Sequence, residues 1–180
     1  MRISTMILFF ACISTGCGAP MLSSDADSAA DDPACTVAGL EPDLRPTAFA
    51  GSAVGADGAL VPGQYVFSTT ALRMKRTAAS AARFRQAMEL ITPALQTQSG
   101  LLAQATATSE RCNVARTLTV WRDEASMYAF VRGAAHRAAV QSVGEISRGG
   151  SRVTHWNGSA AEATWANAAQ VLEASTGPSY

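Results

Sequence analysis

Two histidines and four cysteines carry most of the chemistry open to this 180-residue chain. An imidazole titrates near neutrality and coordinates iron, so His136 and His155 are the candidate bases or ligands. His136 follows an interruption in Gly133-Ala134-Ala135-His136, which sets it at the start of a new helical turn near Phe130. The alternative is a structural histidine that hydrogen-bonds the backbone below a sheet. His155 shares a strand face with Val153, while Arg152, Thr154 and Trp156 point the other way. It is either a base facing a cavity or part of the framework. Tyr65, Phe67, Trp121 and Phe130 are the rings able to wall a pocket beside either imidazole, with core packing the competing role for each. Acidic residues are scattered, and none pair for two-carboxylate chemistry. The G-x-S-x-G, H-E-x-x-H, P-loop and G-x-G-x-x-G patterns are absent. Neither Cys35 nor Cys112 has a second ligand at metal-binding spacing, so no metal site is expected.

These residues are placed by a regular succession of elements. In Thr117-Leu118-Thr119-Val120-Trp121, Leu118 and Val120 fall on one face and the other three on the opposite one, the period of a half-buried strand. Asp123 then stands at an N-cap position, with Glu124 in the first turn to complement the dipole. Met127, Phe130, Val131 and Ala134 recur at helical spacing. Upstream, Gly63–Thr70 alternates as a first core strand. Thr77 caps a helix with an apolar face of Ala81, Phe84, Met88, Ile91 and Leu95, ended or kinked by Pro93. Gly100 precedes a strand over Leu101–Thr108. Gly149-Gly150 turns the chain into a strand over Ser151–Trp156 that Gly158 closes, and Asn157-Gly158-Ser159, a sequon by spelling, reads as a turn. Ala160–Ala174 forms a last helix with Trp165, Ala168, Ala169 and Leu172 on one side. The order β-α-β-β-α-β predicts an α+β, ferredoxin-like fold with an antiparallel sheet and helices on one face. The other face is left bare, and a second copy is the commonest cover. A homodimer is therefore an expected partner.

The N-terminus reads as an export signal, with Arg2 as a minimal positive region and Ile3–Ile13 as the apolar stretch. That run is shorter than the roughly 20 residues a membrane-spanning helix needs. Ser14-Thr15-Gly16-Cys17 resembles a bacterial lipobox, with Gly16 before the cysteine and Ser14 where an aliphatic residue is usual. The resemblance implies a lipid, palmitate among its chains, on Cys17. The alternative is ordinary cleavage after Ala19, with Cys17 discarded. The chain then divides into a signal over 1–17, a flexible tether over 18–34 rich in Ser, Ala and Asp, and one domain over 35–180 with its core at 63–157. The expected location is the bacterial cell envelope, membrane-anchored through the lipid; otherwise the protein is periplasmic or secreted. Acidic and basic residues balance at 14 each, with no cluster large enough for nucleic acid. The densest run, Arg73-Met74-Lys75-Arg76, reads as a solvated loop, with an anion contact as the alternative. In an oxidising compartment Cys35 and Cys112 are expected to form a disulfide tying the N-terminal arm to the sheet; two separate buried thiols are the alternative.

With that order in place, the chain resembles the dimeric α/β barrel superfamily that includes antibiotic biosynthesis monooxygenases. The likeness rests on the Thr-Val-Trp strand ending at Trp121, the acidic helix start Arg122-Asp123-Glu124-Ala125, Phe130 late in that helix, and His136 just beyond it. It spans about residues 63–157 and is nearest to an uncharacterised group with Trp, Phe and His at this spacing. Spheroidene monooxygenase-like proteins are a looser match. The resemblance implies a cofactor-independent oxygenase acting on a small hydrophobic molecule, with His136 or His155 as base and Tyr65, Phe67, Trp121 and Phe130 as walls. No cofactor is needed where an electron-rich substrate, once deprotonated, reduces oxygen itself. The competing reading is a non-enzymatic envelope lipoprotein that binds a small ligand or haem, the latter through His136. Haem-degrading members place a histidine in an Ala-His context, as in Ala135-His136-Arg137. They also carry a tryptophan one element earlier and an asparagine on the first strand. Here Phe130 takes the tryptophan's place at shorter spacing, and the strand offers Ser68 and Thr69, so haem degradation is not expected.

Overall fold

The computed structural model describes residues 32–35, 39–177 and 179–180. The expected signal, Cys17 and the expected tether as far as Asp31 lie outside the described residues. The elements are β1 (Arg45–Pro46), β2 (Gln64–Arg73), α1 (Ala78–Gln96), β3 (Leu101–Ser109) and β4 (Val114–Trp121), followed by α2 (Glu124–Val131), α3 (Ala134–Ile146) and β5 (Arg152–Ser159). A single 3-10 turn over Ala160–Glu162 leads into α4 (Trp165–Ala174). All strand pairs are antiparallel, in the order β1-β3-β4-β2-β5. This is the expected ferredoxin-like α+β arrangement, with a short strand added at one edge and a helix added at the end.

Local chemistry explains the element boundaries. The Thr77 hydroxyl accepts from the Ser80 amide at 3.1 Å, and the Asp123 carboxylate accepts from the Ser126 amide at 2.7 Å, so both predicted caps are in place. Gly133 separates α2 from α3 because the chain passes close to itself there: a Cβ would sit 2.9 Å from the Phe130 carbonyl oxygen. Three expectations need correction. Pro93 does not end α1, which continues to Gln96; it lies in the last turn, where the carbonyl four residues back belongs to exposed Glu89 and can turn to water. The buried side of α1 runs through Ser80, Ala87 and Leu95, with Phe84, Met88 and Ile91 half-buried, while Ala81 and, past the Gly133 break, Ala134 are exposed. Asn157-Gly158-Ser159 is not a turn but the end of β5, paired to β2.

The register divides the sheet into two unlike faces. Toward α1, α2 and α3 point two cross-strand rows, Gln104–Thr119–Ser68–His155 and Thr106–Thr117–Thr70–Val153. The apolar cluster on this side sits at one end, where Val66 and Trp121 meet Leu95 of α1 and Met127 of α2, with Leu101, Phe130 and Val131 around them. The opposite face carries Phe67, Ala103, Leu118 and Val120, all at most 1% exposed. No second copy is needed to cover it. Ala168 of α4 packs over one half, and Ala53 and Leu60, from a strap over residues 39–62, pack over the other.

The strap is fastened along its length. The Thr47 amide donates to Thr106 O at 2.8 Å, Ala50 and Gln104 exchange backbone bonds at 2.9 Å, and the Ala53 amide donates to Leu102 O at 2.9 Å. Asp43 accepts from the Ser109 hydroxyl and the Arg111 amide. Cys35 and Cys112 form the expected disulfide, with Cα atoms 5.3 Å apart, and pack with Val114. Asp32, in the stretch expected to be a tether, pairs with Arg111 at 2.7 Å.

Candidate functional site

The helix side of the sheet gathers both histidines. α2 lays Phe130 against the Trp121 ring, with centroids 5.7 Å apart, and the break at Gly133 returns the chain so that His136 meets Phe130 edge-on at 5.2 Å. The Trp121 indole donates to the Thr119 hydroxyl at 2.9 Å, which fixes the ring at the end of the hydroxyl-bearing rows. His155 extends the Ser68 row onto β5, and Tyr128 of α2 stands over it, its hydroxyl 3.4 Å from His155 Nε2. Beside them the Asn157 amide donates to Glu124 at 3.2 Å, and the Arg132 guanidinium lies 5.9 Å from the Tyr128 ring centre.

Tyr65 and Phe67 are not part of this group. They lie on the opposite face, Phe67 stacked on Trp156 at 5.1 Å and meeting Tyr65 edge-on at 6.1 Å. Alternation and the β2–β4 register separate them, since Val66 between them stands opposite Trp121 and points to the helices. Tyr128 is a member of the group that sequence reasoning misses. Its signal is helical spacing, four residues beyond Glu124 and four before Arg132, on the side of α2 away from Met127.

The electrostatics are sparse. Burial holds the His136 imidazole below its usual 6.5, partly offset by a backbone hydrogen bond at Val131. It is therefore neutral at pH 7. The Ser126 hydroxyl and amide, with Arg122, hold Asp123 down at about 2, so the α2 cap is ionised under all ordinary conditions. Among the described residues no group of three or more His, Cys, Asp or Glu is placed to hold a metal ion. Phe130 and, behind it, Trp121 pack against one side of the His136 imidazole.

A depressed histidine value has a stability consequence with a definite sign. As pH falls through 6.5 the unfolded chain takes up a proton at His136 before the folded one does, so stability is unaffected above that value and declines below it. In thermal melts from neutral pH downward, a His136→Asn variant is expected to lose less of its midpoint than the parent. Parallel curves for the two proteins would show that His136 is not held neutral.

Two surface depressions lie away from the imidazoles. One of about 560 Å³ is bordered by Leu60, Gly63, Gln64 and Ser159 and has no titratable group. One of about 300 Å³ lies beside the α2 cap, between Gln98, Arg122 and Asp123. The helix-side strip differs from both. Ser68, Thr70, Thr117 and Thr119 are on the two central strands, yet all are half-buried, as are Phe84, Met88 and Ile91 of α1. The helix layer meets the sheet in an apolar cluster at the Trp121 end, whereas the side chains of the hydroxyl rows keep part of their surface exposed.

Fold and site together define an α+β domain with an aromatic–imidazole group on the helix side of its sheet. No protein-family model and no curated protein matches the chain. Solved structures that it resembles include a protein of Mycobacterium tuberculosis (14% identical, covering 51% of this chain and 92% of that one, TM-score 0.44). A protein of Shewanella oneidensis is similar at 12% identity, covering 65% of this chain and 98% of that one, with a TM-score of 0.47. An antibiotic biosynthesis monooxygenase is similar at 13% identity, covering 51% of this chain and 95% of that one, with a TM-score of 0.44. The family expected from the Thr117–His136 segment is thus represented among these structures.

Proposed function

We propose that this chain is an exported protein, held to a membrane of the bacterial envelope by a lipid on Cys17, whose domain binds a small hydrophobic molecule between α1 and the sheet. One observation carries the binding reading: the two faces of the same central strands are sealed unequally. Leu118 and Val120 are fully buried, while Thr117 and Thr119, their neighbours in sequence, are half-buried beneath the apolar side of α1. Helices laid on a sheet bury their apolar stripe against it. A ligand with an apolar face and a few polar edge groups would complete that burial and meet the hydroxyls.

The test is a fluorescent apolar probe, 1-anilinonaphthalene-8-sulfonate, with the strip open or filled. The parent is expected to enhance its emission. Thr117→Phe is expected to abolish the enhancement with an almost unchanged thermal midpoint, because the ring enters open space. The same ring at Val120, on the sealed face, should cost about 1–3 kcal/mol by overpacking. Undiminished enhancement by Thr117→Phe would sink the binding reading.

Export is supported by the Cys35–Cys112 disulfide, since such bridges persist in oxidising compartments. Anchorage is tested separately. Cys17→Ser should move the protein from the membrane fraction to the soluble one, and unchanged fractionation would exclude the lipid.

A second reading, cofactor-independent oxygenation of the bound molecule, is favoured by the neutral state of His136. A neutral imidazole beside the strip is a base for a phenolic substrate. Oxygen uptake with an electron-rich phenol, lost in His136→Ala while probe binding persists, would separate catalysis from binding.

A further inference from the structure

We infer that Arg116 and Glu41 act as a selectivity lock, making the sheet face opposite the helices accept the chain's own strap and reject a second copy of the chain. The face itself does not discriminate. Ala103, Ala105 and Ala107 of β3 and Val114, Leu118 and Val120 of β4 are all at most 3% exposed and form a smooth apolar surface. Two such surfaces stack readily, about 10 Å apart, and a copy of the same sheet has the same flatness.

Arg116 breaks that symmetry. It stands in the centre of the face with Ala71 beside it on β2 and Ala107 beside it on β3, so its guanidinium has room to lie along the sheet. Its side chain is 1% exposed. Nε donates to Glu41 Oε2 at 2.8 Å, and Nη2 donates to Glu41 Oε1 at 2.9 Å and to the Gly39 carbonyl at 2.8 Å. Glu41 comes from the strap, 75 residues earlier in the chain. Nη1 is buried without a hydrogen-bond partner among the described residues.

Such a pair is a poor device for stability alone, because an apolar pair of similar volume is often as good or better. Its value lies in what it forbids. In a sheet-on-sheet pair each Arg116 would be buried against the other copy's apolar face, or against its Arg116, with no carboxylate in reach. Discrimination by an uncompensated charge is a common way to refuse a wrong partner. Only a segment that delivers a carboxylate to Arg116 closes the half of the face that α4 leaves to the strap. The Cys35–Cys112 bridge on one side of Glu41 and the Asp43 contacts with Ser109 and Arg111 on the other hold that carboxylate in register. A homodimer of this chain would have to use a different surface.

The test replaces both charges at once in the full-length Cys17→Ser chain. Light scattering across a concentration series and amide exchange at Ala50 and Ala53 of the strap are the readouts. The parent is expected to be free of sheet-to-sheet dimer with its strap amides protected. R116M/E41M is expected to keep its melting midpoint while its strap exchanges at least tenfold faster and a concentration-dependent dimer appears. A double variant that stays monomeric with unchanged strap protection would overturn the lock. If the double variant fails to fold, Glu41→Gln decides: strap exchange accelerated at least tenfold relative to β4 amides supports the lock, and equal acceleration or none overturns it.

Discussion

A Glu41→Ala variant is expected to lose about 3–5 kcal/mol of stability, the range for removing one partner of a buried ion pair. The loss comes from what remains: the Arg116 guanidinium, buried at 1% exposure, keeps among the described residues only the Gly39 carbonyl as a hydrogen-bond acceptor. Urea unfolding measures it as a fall in midpoint at constant slope. A loss below about 1 kcal/mol, the level of an exposed ion pair, would mean that water reaches Arg116 and that the strap does not seal the face.

Reduction of the Cys35–Cys112 bridge is expected to have a similar effect. The bridge closes 77 residues of sequence, for which restriction of the unfolded chain suggests roughly 4 kcal/mol. The thermal midpoint should fall on adding reductant, and Cys35→Ser should fall to the same value without it. Thiol labelling that finds both cysteines free in the oxidised, denatured protein would exclude the bridge. The two losses should not add in full, because Cys35 and Glu41 hold neighbouring parts of one strap to one face and are coupled.

Much of the architecture was legible because it is written in local periods. The Thr117–Trp121 alternation, the Thr77 and Asp123 caps and the Gly133 break each depend on residues within a few positions of one another, and each is present. The strap was not legible. It has no helical or strand period; what holds it is backbone pairing to β3 and an Arg–Glu pair whose members are 75 residues apart. Arg116 could be placed on the Leu118–Val120 face by alternation, but a single sequence does not say which carboxylate meets it. The candidate site was half legible for a related reason. Alternation separates Tyr65 and Phe67 from Trp121 only once the pairing register of β2 with β4 is known, since Val66, not Phe67, stands opposite Trp121. The Phe130–His136 contact, by contrast, follows from six residues and one glycine.

The strap also sets an order of events in the life of the chain. It is the first part of the domain to leave the ribosome, yet its binding surface is finished only when β4 has emerged and paired with β2 and β3. Thr47 waits for Thr106, 59 residues on, and Cys35 waits for Cys112, 77 residues on. Contacts of such separation form late and slowly. Until they form, the apolar face of a newly paired sheet is open to other nascent chains. The interval between pairing of β4 and closure of the strap is therefore the period in which this chain is most prone to aggregate.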